Sequence, residues 1–579
     1  MTLRAPPLYA AGPILLSLLS LLPPAAAQGA SPAPVAAEHG MVVTAQHLAT
    51  RVGVDVLKAG GNAIDAAVAV GYALAVVYPA AGNLGGGGFM TIQPADGQPT
   101  FLDFREKAPL AARPDMYLDP AGQVIAGAST RGWRAVAVPG TVAGLELARA
   151  RYGTMPRARL IAPALRYARQ GFVLDAGDVH VLHQATEDFR RDPTLGAVFL
   201  DHGRPFEPGR RLVQRDLAAT LEAIARGGEA GFYRGRVAAA ILAASRAGGG
   251  LLEAADFERY RPRELEPVRC SYRGFGIVSA PPPSSGGVVL CEMLNILEGY
   301  PLQALGWHSA QAVHDQIEAM RHAYADRNAY LGDPDFVHNP VQRLLSKDYA
   351  ARVRAAIDPA RAGDSQQIRP GLPPREGTQT THYSIVDRWG NAVAVTYTLN
   401  NWFGARVMAP GTGVLLNDEM DDFTSKPGVP NLYGLVQGEA NAIAPGKTPL
   451  SSMCPTIVTR DGKPVMVLGT PGGSRIITAV LLTLVNAIDY GMDAQQAVDA
   501  PRFHQQWLPE ATFLEPWALS PDTQKLLEGM GHVFKPSPWA NHLAVVMIGA
   551  PALGGAPAGR NRYYGANDLR AGTGLAAGY

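Results

Sequence analysis

The sequence predicts a layered α/β (α+β) protein, with sheets packed against each other and helices outside. Three observations carry this. Hairpin signals recur: Ile385-Val386 runs into the turn cluster Asp387-Arg388-Trp389-Gly390-Asn391 and Ala392 to Thr398 returns, and Thr456 to Thr459 meets Val465 to Leu468 across Arg460-Asp461-Gly462-Lys463. Segments with helical apolar spacing lie between the hairpins. No repeat at a fixed period is visible, which excludes solenoids and propellers.

At 579 residues the chain exceeds the roughly 100–200 residues of an ordinary domain, although one large layered unit could hold it. The net charge of +1 argues against nucleic acid or an acidic membrane as partner, since both require a clustered basic excess. The N-terminus reads as a secretory signal over residues 1–27. Arg4 supplies the positive end, Ile14 to Leu22 the apolar run, and Ala25-Ala26-Ala27 the cleavage pattern before Gln28. An uncleaved anchor is the alternative, but the run falls short of the ~18 apolar residues of a spanning helix. No Cys follows it, which disfavours a lipoprotein anchor. Cys270, Cys291 and Cys454 are too few for a disulfide scaffold; a Cys270–Cys291 bridge stays open, and Cys454 reads as a small buried residue.

Taken in order, Met41 to Thr44 predicts a strand and His47 to Lys58 a helix stopped by Gly60-Gly61. Asn62 can cap the apolar helix Ala63 to Val77. In Asn83-Leu84-Gly85-Gly86-Gly87-Gly88, four glycines allow close backbone approach. No Gly-Lys-Ser/Thr follows, so tight packing near a site is expected rather than a phosphate loop. Phe89 to Gln93 and Thr100 to Phe104 predict a hairpin that delivers Arg105, which can fork onto a carboxylate. Ala137 to Gly144 opens a helical region, and Pro156 to Ala255 is mostly amphipathic helix assigned to packing. Val268 to Ala280 looks strand-like, and the loop Pro281 to Gly287 opens a helix at Val288. On the predicted helix His308 to Leu331, His314, Glu318 and His322 share a face. They lack the His-Glu-x-x-His order and a third ligand cluster, so structural contacts are expected and no metal. Lys426 to Gly438 is loop composition around Tyr433, and Ser474 to Tyr490 predicts an apolar helix.

The chemistry centres on Thr380. An exposed loop, Ile368 to Gln379, runs straight into it at the mouth of a strand. If the bond before Thr380 were broken, its own α-amine could serve as general base for its hydroxyl. Gly472-Gly473 precede a helix, where unpaired N–H groups can face an oxyanion.

Five motifs stand in order: Thr-Thr-His-Tyr-Ser (380–384), Thr-Tyr-Thr-Leu-Asn (396–400), Asn-Asp-Glu-Met-Asp-Asp-Phe (417–423), Pro-Leu-Ser-Ser-Met (449–453) and Pro-Gly-Gly-Ser-Arg (471–475). Together they closely resemble the γ-glutamyltransferases (glutathione hydrolases), and the wider resemblance runs from about Glu38 to Tyr579. It implies the αββα sandwich of the N-terminal-nucleophile hydrolases. It implies cleavage between Gln379 and Thr380 into a large chain, 28–379, and a small chain, 380–579, that stay together. Thr380 would be the nucleophile, Thr398 its helper in catalysis and self-cleavage, and Gly472 and Gly473 the oxyanion hole. Arg105, Ser451 and Ser452 would bind the α-carboxylate of a γ-glutamyl group, and Asn400, Glu419 and Asp422 its α-amine. Tyr433 would gate a lid. No cofactor or metal is implied; the substrates are glutathione and related γ-glutamyl compounds, the acceptors water, amino acids or peptides. The resemblance to bacterial members adds a periplasmic location. Glu419 stands where some members have Gln, Cys454 where Ser is frequent, and Asn401-Trp402 departs from the small polar residues expected. The rivals are a β-lactam (glutaryl or cephalosporin) acylase of the same fold and an uncut secreted binding protein.

Overall fold

The strand that follows Thr380 lies inside one of two seven-stranded sheets. In a computed structural model, residues 31–368, 380–537 and 541–579 are described. The expected signal peptide and Gln379 lie outside them. The first sheet runs Leu575–Gly578, Met41–Thr44, Thr381–Val386, Ala392–Thr398, Gly87–Gln93, Thr100–Phe104, Arg263–Leu265. The second runs Val35–Ala37, Tyr563–Asn567, Ala544–Ile548, Lys463–Gly469, Thr456–Arg460, Phe275–Ser279, Val268–Tyr272. All neighbours in both are antiparallel.

The sheets face each other across a layer that includes Val43, Val386, Ala392, Ala394, Val467 and Val546. Alternate residues of the same strands, such as Val42, Ile385, Val393 and Val395, point to the other side and pack on the helices His47–Lys58 and Ala63–Val77. The outer face of the second sheet meets the helices Gly286–Leu297 and Arg475–Ile488, and Ala310–Tyr330 packs on the first of these. The order is therefore helix, sheet, sheet, helix: the αββα sandwich. Burial on both faces explains why Ala392 to Thr398 reads as a continuous apolar run rather than an alternating one. Each fully buried Val or Ile contributes about 1.5–3 kcal/mol.

The expected elements fall largely where the sequence puts them. Asn62 caps the Ala63–Val77 helix in a capping box with Asp65. The Val268 to Ala280 stretch differs: it is a hairpin, Val268–Tyr272 and Phe275–Ser279. Arg273 and Gly274, with φ of 50° and 82°, make the primed two-residue turn between them. The helix expected at Val288 starts at Gly286, a position that needs glycine because a loop carbonyl, Met453 O, packs where a Cβ would stand. Cys270 and Cys291 form a disulfide with Cα atoms 6.0 Å apart, tying an edge strand to that helix. Cys454 is buried, and burial pushes its thiol up to about 11. Among the described residues no helix is long and apolar enough to cross a membrane.

Candidate active site

The register of the central hairpin sets the site. Thr381 pairs with Tyr397, so Thr380 falls opposite Thr398, and their hydroxyls lie 3.2 Å apart. Thr398 Oγ1 also accepts from the backbone N–H of Asn400 at 2.8 Å. The strand is anchored below by buried polar contacts between the sheets. His382 bonds Thr396 and Ser384, and Ser384 donates to Ala544 O in the second sheet. Burial pulls His382 down to about 3, so it is neutral and serves as a fixed strut.

The glycine run holds Thr398 from the other side. Asn83 donates to Thr398 O at 2.9 Å, and its Oδ1 accepts from Gly86 N and Thr141 Oγ1. A Cβ at Gly86 would stand 1.9 Å from Thr398 O, so only glycine fits. The close approach expected of this run is met at the site itself.

Thr380 and Thr398 open on a small cavity, also lined by Arg105, Arg327, Glu419, Asp422, Ser451, Ser452, Tyr433 and Gly473. Its free volume is about 20 Å³, room for roughly one water. Arg105, delivered by the strand Thr100–Phe104, forks onto Glu419 and Asp422, and Glu106 lies 3.5 Å from it. Glu419 and Asp422 bracket one 3-10 turn, Glu419–Asp422, which presents both carboxylates together. Burial pushes Glu419 and Asp422 above the usual carboxylate range and Glu106 up to about 7, each opposed by Arg105. Among the described residues, Arg105 Nε, Glu419 Oε2 and Asp422 Oδ1 are buried without a hydrogen-bond partner. Both signs of charge thus keep unused bonding capacity at one cavity, which suits a zwitterion.

Asn400 does not line the cavity. Its carbonyl and Oδ1 accept from the Tyr433 hydroxyl, and its Nδ2 donates to Asp418 O. Tyr433 is buried, and its ring occupies the space beside Gly473 that a Cβ would fill. Gly472 and Gly473 have φ of 133° and 55° and lead into the Arg475–Ile488 helix. Gly473 lines the cavity, while Gly472 backs onto Asn541.

Sequence reasoning missed three residues here. Arg327 lines the cavity from the predicted helix His308 to Leu331, where only His314, Glu318 and His322 were weighed. Asp421 accepts from Ser129 and from Leu432 N, fastening the loop that carries Tyr433. Glu106 follows Arg105 directly in Asp103-Phe104-Arg105-Glu106 and was given no role. The predicted face of His314, Glu318 and His322 does not assemble as such; His532 joins His314 and Glu318 instead. His314 Nε2 lies 2.9 Å from Asp358 O, so it carries the proton, and Nδ1 accepts from His532 Nε2 at 2.8 Å. Arg321 lies 3.2 Å from Glu318. The nitrogen lone pair that a cation would need is engaged, and a guanidinium stands beside the carboxylate, so the cluster is a packing contact.

Comparison with known proteins bears on the whole chain. The sequence model of the Gamma-glutamyltranspeptidase family matches residues 49–578. A glutathione hydrolase proenzyme of Pseudomonas sp. (strain A14) is 68% identical over 551 residues, covering 95% of this chain and 96% of that one. The glutathione hydrolase proenzyme of Escherichia coli (strain K12) is 49% identical over 548 residues, covering 94% and 93%. The crystal structure of a cephalosporin acylase from Bacillus halodurans superposes with a TM-score of 0.81 at 27% identity, covering 96% of this chain and 99% of that one. With its fold, its threonine pair and its family match in agreement, the chain belongs to the γ-glutamyltranspeptidase family of N-terminal-nucleophile hydrolases.

Proposed function

We propose that this protein is a self-cleaving γ-glutamyltransferase and glutathione hydrolase. The observation that carries the reading is the opening of Thr380 onto a cavity lined by a guanidinium and a carboxylate pair. A γ-glutamyl head group carries one carboxylate and one ammonium, and such a lining meets both. The precursor cleaves between Gln379 and Thr380, giving a large chain, 28–379, and a small chain, 380–579, that remain associated through the shared sheets.

The freed Thr380 α-amine takes the proton from Oγ1. Oγ1 attacks the γ-carbonyl carbon, and Thr398 holds the hydroxyl in line. The oxyanion is received by the N–H groups of Gly472 and Gly473, one such donor being worth about 2.7–4 kcal/mol. The tetrahedral adduct collapses, the amine leaves with the proton held at Thr380, and a γ-glutamyl ester remains on Oγ1. Water or an acceptor amine then repeats the steps in reverse. Arg105, Ser451 and Ser452 take the α-carboxylate. Glu419 and Asp422 take the α-amine, and Asn400 holds Tyr433 in place beside them. Arg105 must turn partly from the carboxylates to do so, since the closed cavity has room for about one water. Tyr433 shields the ester from solvent. Export to the periplasm follows from the N-terminal signal. A glutaryl donor, as an acylase would take, leaves Glu419 and Asp422 without the ammonium they suit.

The test is turnover of γ-glutamyl-p-nitroanilide, with acid quenching and intact mass of the small chain. Ping-pong kinetics and a γ-glutamyl adduct on the peptide beginning at Thr380 are expected. Turnover without an adduct there, or cleavage of glutaryl amides in preference, would overturn the reading.

A further inference from the structure

Arg327 is fully buried, on the Ala310–Tyr330 helix, and lines the cavity. Its bonding is unlike that of the buried Arg105, Arg321 and Arg502, each of which pairs with carboxylates. Nε donates to Ser285 Oγ at 2.9 Å, Nη1 to Asn328 Oδ1 at 2.9 Å, and Nη2 to Ser452 Oγ at 2.9 Å. All three acceptors are neutral, and among the described residues no carboxylate lies within ion-pair distance of it. Two of its five N–H groups remain for another acceptor. Burial pulls this guanidinium down to about 10, and the more distant Tyr324 and Asp422 offset that cost only in part.

Two consequences follow from donor and acceptor arithmetic. Ser452 Oγ already accepts from Arg327, so its own hydrogen is left to donate into the cavity. Ser285 Oγ accepts from Arg327 and donates to Ser451 O at 2.6 Å, and Ser285 N donates to the same carbonyl at 2.8 Å. The 451–452 segment is therefore set from Arg327 through two serines.

We infer that Arg327 is the anion-side positioning residue of the donor site: it directs the Ser452 hydroxyl at the α-carboxylate of the γ-glutamyl group and supplies the positive charge that this carboxylate neutralises. Arg105, already forked onto two carboxylates, cannot supply that net charge alone. This rests on the proposed function.

The test compares γ-glutamyl-p-nitroanilide with the same donor bearing an α-carboxamide, in wild type, Arg327→Met, Arg327→Lys and Ser452→Ala, with rates expressed per active centre titrated by the acyl-enzyme burst. Arg327→Met should lower the carboxylate-over-carboxamide ratio of kcat/KM by roughly 30-fold or more. The loss should sit in KM for the carboxylate donor, with kcat changed less than about 3-fold. Arg327→Lys should recover part of the ratio, since charge returns without the fork. Ser452→Ala combined with Arg327→Met should lose less than the product of the single losses. If Arg327→Met does not fold, Arg327→Lys and Ser452→Ala still decide: both must lower the ratio. An unchanged ratio, with both donors slowed equally, would overturn the inference and leave Arg327 a purely structural residue. Wild type that cleaves neither donor would instead overturn the proposed function.

Discussion

Arg105 and Arg327 share one cavity and are both buried, yet their surroundings are opposite. Arg105 faces Glu106, Glu419 and Asp422, an excess of carboxyl groups over the one guanidinium. Arg327 donates only to hydroxyl and amide oxygens among the described residues, with Asp422 acting on it from beyond ion-pair distance. A buried guanidinium among carboxylates is balanced before any ligand arrives, whereas one among neutral groups is balanced by the ligand. The same residue type therefore holds the acidic turn in place at one position and stands ready for an anion at the other.

This contrast has measurable edges. Arg105→Met strands Glu419 and Asp422 in the interior and should cost about 3–5 kcal/mol of stability. Arg327→Met leaves neutral acceptors without a donor and should cost less, about 1–3 kcal/mol. Thermal unfolding of the two variants side by side measures this, and equal losses would erase the distinction. Gly86→Ala tests the scaffold of the cavity they share. Its Cβ would meet Thr398 O at 1.9 Å, so about 1–3 kcal/mol of overpacking is expected, with slowed self-cleavage. Normal cleavage in that variant would show that Thr398 tolerates displacement.

The excess of carboxyls around Arg105 predicts a pH effect. Glu106 has a folded pKa raised to about 7 by burial, against a usual carboxylate value near 4.5. Its contribution to stability is therefore complete below about 4.5 and is lost as pH rises towards 7. Glu106→Gln should flatten the fall of the melting temperature across that window, and an unaltered slope would place the proton on another carboxyl. Smallest of the set, Tyr433→Phe removes the hydroxyl bond to Asn400 and should cost about 1 kcal/mol. It should also raise the share of acyl-enzyme lost to water in assays that separate hydrolysis from transfer.

Much of the fold was legible because both hairpins and the capped helices carry local signals: the Asn62 cap, the Arg460-to-Lys463 turn, the β-branched returns. The split of Val268 to Ala280 was not, since an Arg-Gly turn is a weaker signal than Asn-Gly. Around the cavity, Thr380, Arg105 and the 417–423 motif were legible as motifs. Arg327 was hidden because a helix buried on nearly every side reads as packing, and nothing local marks which polar residue faces a cavity built by segments 125 residues away. His532 was hidden for the same reason: its partner His314 lies 218 residues earlier.

The central claim is that Thr380 becomes an N-terminus. Denaturing electrophoresis with intact mass on the purified protein, beside Thr380→Ala, tests it directly. The account predicts two fragments meeting at Gln379 and Thr380 in the wild type and one uncut chain in the variant. A single uncut wild-type chain would leave Thr380 without its amine and contradict the mechanism.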